Sequence, residues 1–395
     1  MKKTLIAASV AGAFLATSAM AANVEMYGLI NTGLSYVHSD SDSGVKTNKF
    51  SMENGQEFGS RWGLRGSEDL GNGLKLGFVL ESGFESDTGN LDTKQGGRLF
   101  GREAQMTLSG DFGALSFGRM PIFGSVLGAN GLFRAIDPLF ANYTTFGSGN
   151  ATASMWTRVD NAISYKTPTF AGFTGYAMYS FQNDSAAAST NKSEEGKSST
   201  DRYASVALRY QNAGLEGVLV ADMTNWGSKD SKTSTKGWAA NKDDDDGYTV
   251  TLGGNYTFDN QVKVLAYGQY FNNQYLNARA RAGALLAGIA SVIGEDTTQA
   301  ANDGYGFVTG WGAGLGLHVP AFGGTAKFGV NYRDMDNERD TDFTRWTVMA
   351  GYDYNLSKRT ALYVMTGYNQ EKVEKADKSG TPSAYEFCFG ILHRF

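Results

Sequence analysis

From Val24 to Phe395 the chain repeats one unit: two segments of about ten residues with alternating polar and apolar positions, a tight turn between them, then a longer polar loop. The segments are Val24–Val37, Phe58–Asp69, Leu74–Glu85, Arg98–Ser109, Ala114–Arg119, Arg158–Lys166, Gly172–Gln182 and Asp201–Gln211 in the first half. Glu216–Trp226, Gly247–Phe258, Gln261–Phe271, Gly304–His318, Gly323–Arg333, Asp342–Asn355, Arg359–Gln370 and Ala384–Phe395 follow, which makes sixteen. Turn signals separate the partners, such as Leu70-Gly71-Asn72-Gly73 and Gly110-Asp111-Phe112-Gly113. An even count brings both ends of a single chain to one rim of a closed sheet.

Alternation sorts the residues by face. Leu74, Leu76, Phe78 and Leu80 point one way, Lys75, Gly77 and Glu81 the other. Ala326, Phe328, Val330 and Tyr332 likewise oppose Thr325, Lys327, Asn331 and Arg333. One apolar and one polar face also suits a soluble sandwich. The N-terminus and the strand number favour lipid outside and water inside. Met1-Lys2-Lys3, the apolar run Leu5–Leu15 and Ala19-Met20-Ala21 have the layout of an export leader, residues 1–21, so the mature chain is expected to be 22–395. Past Ala22 no window nears the roughly twenty apolar residues of a membrane helix. The longest apolar patch, Ala282–Ile293, is interrupted by Gly283 and Gly288 and reads as a short loop helix. The fold class is therefore all-β, a 16-stranded antiparallel transmembrane β-barrel.

Met120–Trp156 is too long for an ordinary connection and too apolar for a solvated linker. Only Arg134 and Asp137 are charged in it, so it is expected to fold into the lumen and narrow it. The parity of the strands then gives a lumen inventory. Inward bases are Arg61, Arg65, Lys75, Arg158, Arg209, Lys263, Lys327, Arg333, Arg345 and Arg394; inward acids are Glu81, Glu103, Asp160, Asp353 and Glu386. Formal charge is −5 overall, but acid collects in loops, above all Asp243–Asp246, so an acidic chain has a basic lumen. Arg61 and Arg65 sit on one strand face, and fixed positive charge in a narrow channel attracts anions. Arg102 shares parity with Met106 and Leu108, which leaves two readings: a strand's wet end, or a bulge that shifts the register.

Other chemistry has little support. The three histidines, His38, His318 and His393, stand apart from any nucleophile or metal motif. Gly310, Gly312, Gly314 and Gly316 repeat every second residue and read as one glycine-lined strand face rather than a dinucleotide loop. The acidic run reads as a solvated loop rather than a cation site, and Cys388 as a packed free thiol. No enzyme, cofactor, metal or nucleic-acid partner is expected.

With these residues in view, the chain resembles the general diffusion porins of Gram-negative bacteria, β-proteobacterial type. Ser60–Phe84 (SRWGLRGSEDLGNGLKLGFVLESGF) carries most of the resemblance, supported by Met26–Tyr36, Gly97–Met120, Asn161–Phe181 and the terminal His393-Arg394-Phe395. The resemblance implies a homotrimer in the outer membrane, in contact with lipid and lipopolysaccharide, that passes small hydrophilic solutes and ions. It implies that the third extracellular loop, here Met120–Trp156, forms the constriction, with Arg61 and Arg65 on the wall facing it. It makes Phe395 the signal read by the barrel-assembly machinery, with Phe387, Phe389, Ile391 and His393 facing outward. Constriction residues are expected among Arg61, Arg65, Lys75, Glu81, Glu103, Arg119, Arg134, Asp137 and Arg158. Many relatives carry several acids in this loop; Asp137 alone stands here, which weakens the transverse field. Two alternatives remain. One is a substrate-specific channel lined by Phe133, Tyr143 and Phe146; the other is an adhesin or structural barrel with a plugged lumen.

Overall fold

The computed structural model describes residues 23–92, 97–139, 145–147, 151–153, 157–183, 195–198, 200–227, 245–276, 283–294 and 305–395. The leader, Tyr143, Asp243, Asp244 and parts of Met120–Trp156 lie outside the described residues. The strands are β1 (Asn23–Asp40), β2 (Lys46–Asn54), β3 (Arg61–Gly71), β4 (Leu74–Gly83), β5 (Glu103–Gly110) and β6 (Gly113–Pro121). Next come β7 (Arg158–Lys166), β8 (Phe173–Ser180), β9 (Arg202–Asn212), β10 (Leu215–Asn225), β11 (Gly247–Thr257) and β12 (Lys263–Leu276). The last are β13 (Gly306–Ala321), β14 (Gly324–Asn337), β15 (Thr341–Asn355), β16 (Thr360–Lys375), β17 (Lys378–Gly380) and β18 (Ser383–Arg394).

Each strand pairs antiparallel with its neighbours, and β1 pairs with β18, closing the sheet. The eighteen strands form sixteen staves because two staves are broken. β1 pairs with β3 along Asn23–Leu29 and with β2 along Thr32–Asp40, so β2 and β3 are two lengths of one stave. β17 and β18 likewise continue one another along β16. The sequence reads Ser39–Glu57 as a polar loop between the first two segments; β2, which lies within it, corrects that expectation. Only Phe50 and Met52 are apolar in β2, alternating with Lys49, Ser51 and Glu53, so the alternation is too short to stand out.

Closure leaves no open sheet edge, which a segment in lipid requires. Seven turns of two to six residues join β3–β4, β5–β6, β7–β8, β9–β10, β11–β12, β13–β14 and β15–β16 at one rim. The chain end closes there too: Gly28 and Phe395 exchange both backbone hydrogen bonds, 3.1 and 3.0 Å. The β3–β4 turn needs its glycines, since Gly71, Asn72 and Gly73 all have positive φ (83°, 52° and 79°). The other rim carries the long connections.

The two faces follow the sequence parity. Phe328, Val330, Tyr332, Trp346 and Val348 are exposed on the outer face, as are Phe387, Phe389 and Ile391. Asn331, Arg333, Arg345, Thr347 and Glu386 are buried on the inner one. No described helix is long and apolar enough to cross a membrane. The single α-helix among the described residues, α1 (Gly283–Ile293), lies in the β12–β13 connection and reaches β1, β2 and β16–β18 across the mouth. Its Gly288 is pressed against the Ser41 carbonyl and Pro382, where a Cβ has no room.

Candidate functional site

The described part of Met120–Trp156 packs on the inner face of the wall. Met120, Ile122, Phe123, Ile136, Leu139 and Phe146 are at most 1% exposed. Each such burial is worth roughly 1.5–3 kcal/mol, enough to hold a connection of this length in one place. It meets the wall strand by strand. Asn255 of β11 donates to the Ala135 carbonyl (2.8 Å), Phe133 packs edge-on to Tyr267 of β12 (4.9 Å), and His318 of β13 bonds the Pro138 carbonyl. Further along, Asn369 of β16 donates to the Thr145 carbonyl (2.6 Å) and Thr145 N–H to Glu386 of β18 (2.8 Å). On the return, Ala153 N–H bonds Gln269 of β12 at 2.7 Å.

This close approach is built from inward glycines. A Cβ on Gly253 would lie 2.6 Å from Ile136, on Gly316 2.7 Å and on Gly329 2.9 Å from Pro138, and on Gly351 2.9 Å from Leu139. On Gly312 it would overlap the Ala151 carbonyl oxygen, and on Gly367 the Phe146 ring. Of the alternating glycines of β13, Gly312 and Gly316 therefore seat this segment, while Gly310 and Gly314 face Met335 and Tyr267 of the wall. Phe133 and Phe146 point into that wall, which removes them from a ligand-lining row.

The segment packs on the wall from β8, where Phe123 meets Tyr176, round to β18, and on its other side abuts β5, where Gly128 lies against the Glu103 carboxylate. On that side arginines outnumber carboxylates. Arg102 Nε donates to Glu81 at 2.6 Å, Arg61 approaches the same carboxylate at 3.8 Å, and Tyr27 OH donates to it at 3.0 Å. Glu103 stands opposite Glu81 in register and accepts the Gln105 amide at 2.9 Å. Arg158 lies within electrostatic reach of Glu103, and Arg134 of both acids. Beside them Asp160 is held between Arg98 (2.9 Å) and Arg119 (2.5 Å). Six guanidinium groups thus surround three carboxylates.

The structure brings together Arg61, Glu81, Glu103, Arg119, Arg134 and Arg158. Arg65 and Lys75 lie apart, toward the short-turn rim: Arg65 makes two hydrogen bonds to Glu25, 3.0 Å each, under the Tyr27 ring, and Lys75 is exposed opposite Asp69. Asp137 is turned to the Leu139 N–H at 3.3 Å. Arg134 caps its own segment through the Val126 and Gly128 carbonyls. Arg102 resolves as a residue just before β5, where parity does not apply. Arg98 escapes parity for the same reason.

The acid inventory was short. Glu57, Glu216, Asp222 and Glu371 also face inward, and most of the remaining wall bases are matched by them. Arg209 bonds Glu216 (2.7 Å), Arg333 bonds Glu371 (2.6 Å), Arg345 bonds Glu371 through Nε (2.7 Å), and Lys327 meets Glu57 (3.3 Å) and Asp353. Positive excess is therefore local to the wall of β3–β7.

Residues 7–374 match the family model described as Gram-negative porin. An outer membrane porin protein of Bordetella pertussis is 33% identical over 100% of both chains. Outer membrane porin protein 32 of Delftia acidovorans is 30% identical, covering 92% of this chain and 88% of that one. The fold is shared with an anion-selective porin from Comamonas acidovorans, with a TM-score of 0.67, 24% identity, and 95% of this chain and 100% of that one covered. Closed barrel, polar interior and these relatives together make the chain a member of the Gram-negative porin family, a β-barrel channel of the outer membrane.

Proposed function

We propose that this porin is a homotrimeric diffusion pore that passes small hydrophilic solutes and ions by size and charge, with a weak preference for anions. The observation that carries the charge preference is the excess of arginine about the wall of β3–β7: Arg61, Arg98, Arg102, Arg119 and Arg158, joined by Arg134 of Met120–Trp156, about three carboxylates. In a channel bounded by low-dielectric walls, such fixed charge concentrates counter-ions and excludes co-ions. Met120–Trp156 supplies the narrowing, and its seat on inward glycines supports a fixed aperture rather than a swinging lid. The anion-selective porin from Comamonas acidovorans shares the fold, which accords with the same preference here.

The export leader, residues 1–21, is removed in this reading, and the last strand with Phe395 directs assembly into a membrane of lipid and lipopolysaccharide. Arg61, Arg102, Arg158 and Arg134 form the charged side of the aperture with Glu81 and Glu103. Arg65 and Lys75 act at the short-turn mouth. Liposome swelling with uncharged sugars of increasing size tests the passive, size-sorting part: uptake falls smoothly with solute radius. Rapid uptake of one sugar class alone, or no uptake of any, contradicts it.

A further inference from the structure

The second stave is interrupted. β2 ends with Asn54 opposite Thr32, and β3 begins with Arg61 opposite Leu29, leaving Gly55–Ser60 outside the ladder. These residues turn onto the inner face, and all but Phe58 are buried. The gap is repaired around Asn31. Its N–H donates to Ser60 Oγ (3.0 Å), and its carbonyl accepts from Ser60 Oγ (3.1 Å), Gly55 N–H (3.0 Å) and Ser86 Oγ (2.8 Å). A ladder repaired by three additional groups is a built departure from a continuous strand.

The excursion crosses the inside of the barrel. Gln56 fills the space over Gly33 and accepts a hydrogen bond from Tyr363 OH of β16 at 3.0 Å. The Arg394 guanidinium of β18 lies 5.4 Å over the Phe58 ring. Glu57 then reaches Lys327 of β14 at 3.3 Å, past β1, β18, β16 and β15, and Lys327 also binds Asp353 of β15. Lys327 pairs in register with His318, which bonds the Pro138 carbonyl. Two inward segments, arriving from different parts of the chain, therefore end on neighbouring residues of β13 and β14. Burying a lysine between carboxylates is costly unless geometry compensates, and a simple strand would avoid it.

We propose that Gly55–Ser60 is a second aperture-forming arm, latched across the lumen by Glu57 to Lys327, and that it limits the width of the conducting path together with Met120–Trp156. The arm adds backbone and side-chain bulk where a continuous stave would leave open lumen. It also withdraws Lys327 from the charge that ions meet.

Deleting Gln56–Gly59 tests this cleanly. Gly55 then falls opposite Asn31 and Ser60 opposite Ile30, so the stave continues in register with parity preserved. The purified full-length deletion variant is expected to show a steady single-channel conductance raised about 1.5-fold or more, and faster uptake of large neutral sugars. Unchanged conductance and uptake in a folded variant overturn the proposal. If the deletion fails to fold, Glu57→Ala keeps the chain length and releases the latch; it raises the open conductance or adds frequent sublevels, and wild-type traces overturn the proposal. Neutral-solute uptake is blind to ion preference, so this result and the charge reading fail separately.

Discussion

Glu81 and Glu103 stand directly opposite one another on β4 and β5, yet they are held differently: Arg102 grips Glu81 at 2.6 Å, while Glu103 accepts the Gln105 amide at 2.9 Å. Removing either adds one net positive charge beside the aperture, so Glu81→Ala and Glu103→Gln should both strengthen anion preference. Their stabilities should differ. Glu81→Ala breaks the buried pair with Arg102, a loss on the order of 3–5 kcal/mol. Glu103→Gln keeps the hydrogen bond. Thermal unfolding should fall clearly for the first and stay near wild type for the second; equal losses contradict the assignment of Arg102 to Glu81.

Arg61 and Arg65 share a strand face but not a role. Arg61 belongs to the group around Glu81, with its side chain 13% exposed, while Arg65 is 53% exposed and carries Glu25 beside it. At the open rim, screening over about 8–10 Å blunts a single charge. Arg61→Ala is expected to move the reversal potential toward cations, and Arg65→Ala to move it much less. The reverse order in a salt gradient would place the selective region at the short-turn mouth instead.

The glycine seat predicts a graded series. Gly351→Ala meets the flexible side chains of Leu139 at 2.9 Å and Met365 at 3.3 Å, which can give way, and should leave conductance and stability nearly unchanged. Gly312→Ala collides with the backbone carbonyl of Ala151, which cannot rotate away. Displacing that turn should change single-channel conductance and cost about 1–3 kcal/mol, the usual range for overpacking. Identical traces from both variants would mean that the segment does not border the conducting path.

The sixteen staves and the inner and outer faces were legible because lipid and water impose opposite demands on alternate residues. Length and apolarity together pointed to a packed Met120–Trp156, and its described residues are buried against the wall. Gly55–Ser60 was not legible, since Gly55–Glu57 reads as the end of a polar loop and Phe58–Ser60 as the start of the next strand. Parity also fails off the ladder, which hid Arg98 and left Arg102 unresolved, and a strand end placed at Gln370 cut off Glu371 by one residue. The same omission overstated the basic lumen: Arg333 and Arg345 serve Glu371, and the uncompensated charge lies near Arg61, Arg102 and Arg158.

The most direct test of the account is the zero-current potential of the wild-type protein in a planar bilayer under a potassium chloride gradient. A basic aperture predicts a potential whose sign reports chloride as the more permeant ion, shrinking as salt screens the wall. A potential of the opposite sign, with potassium preferred, would contradict it.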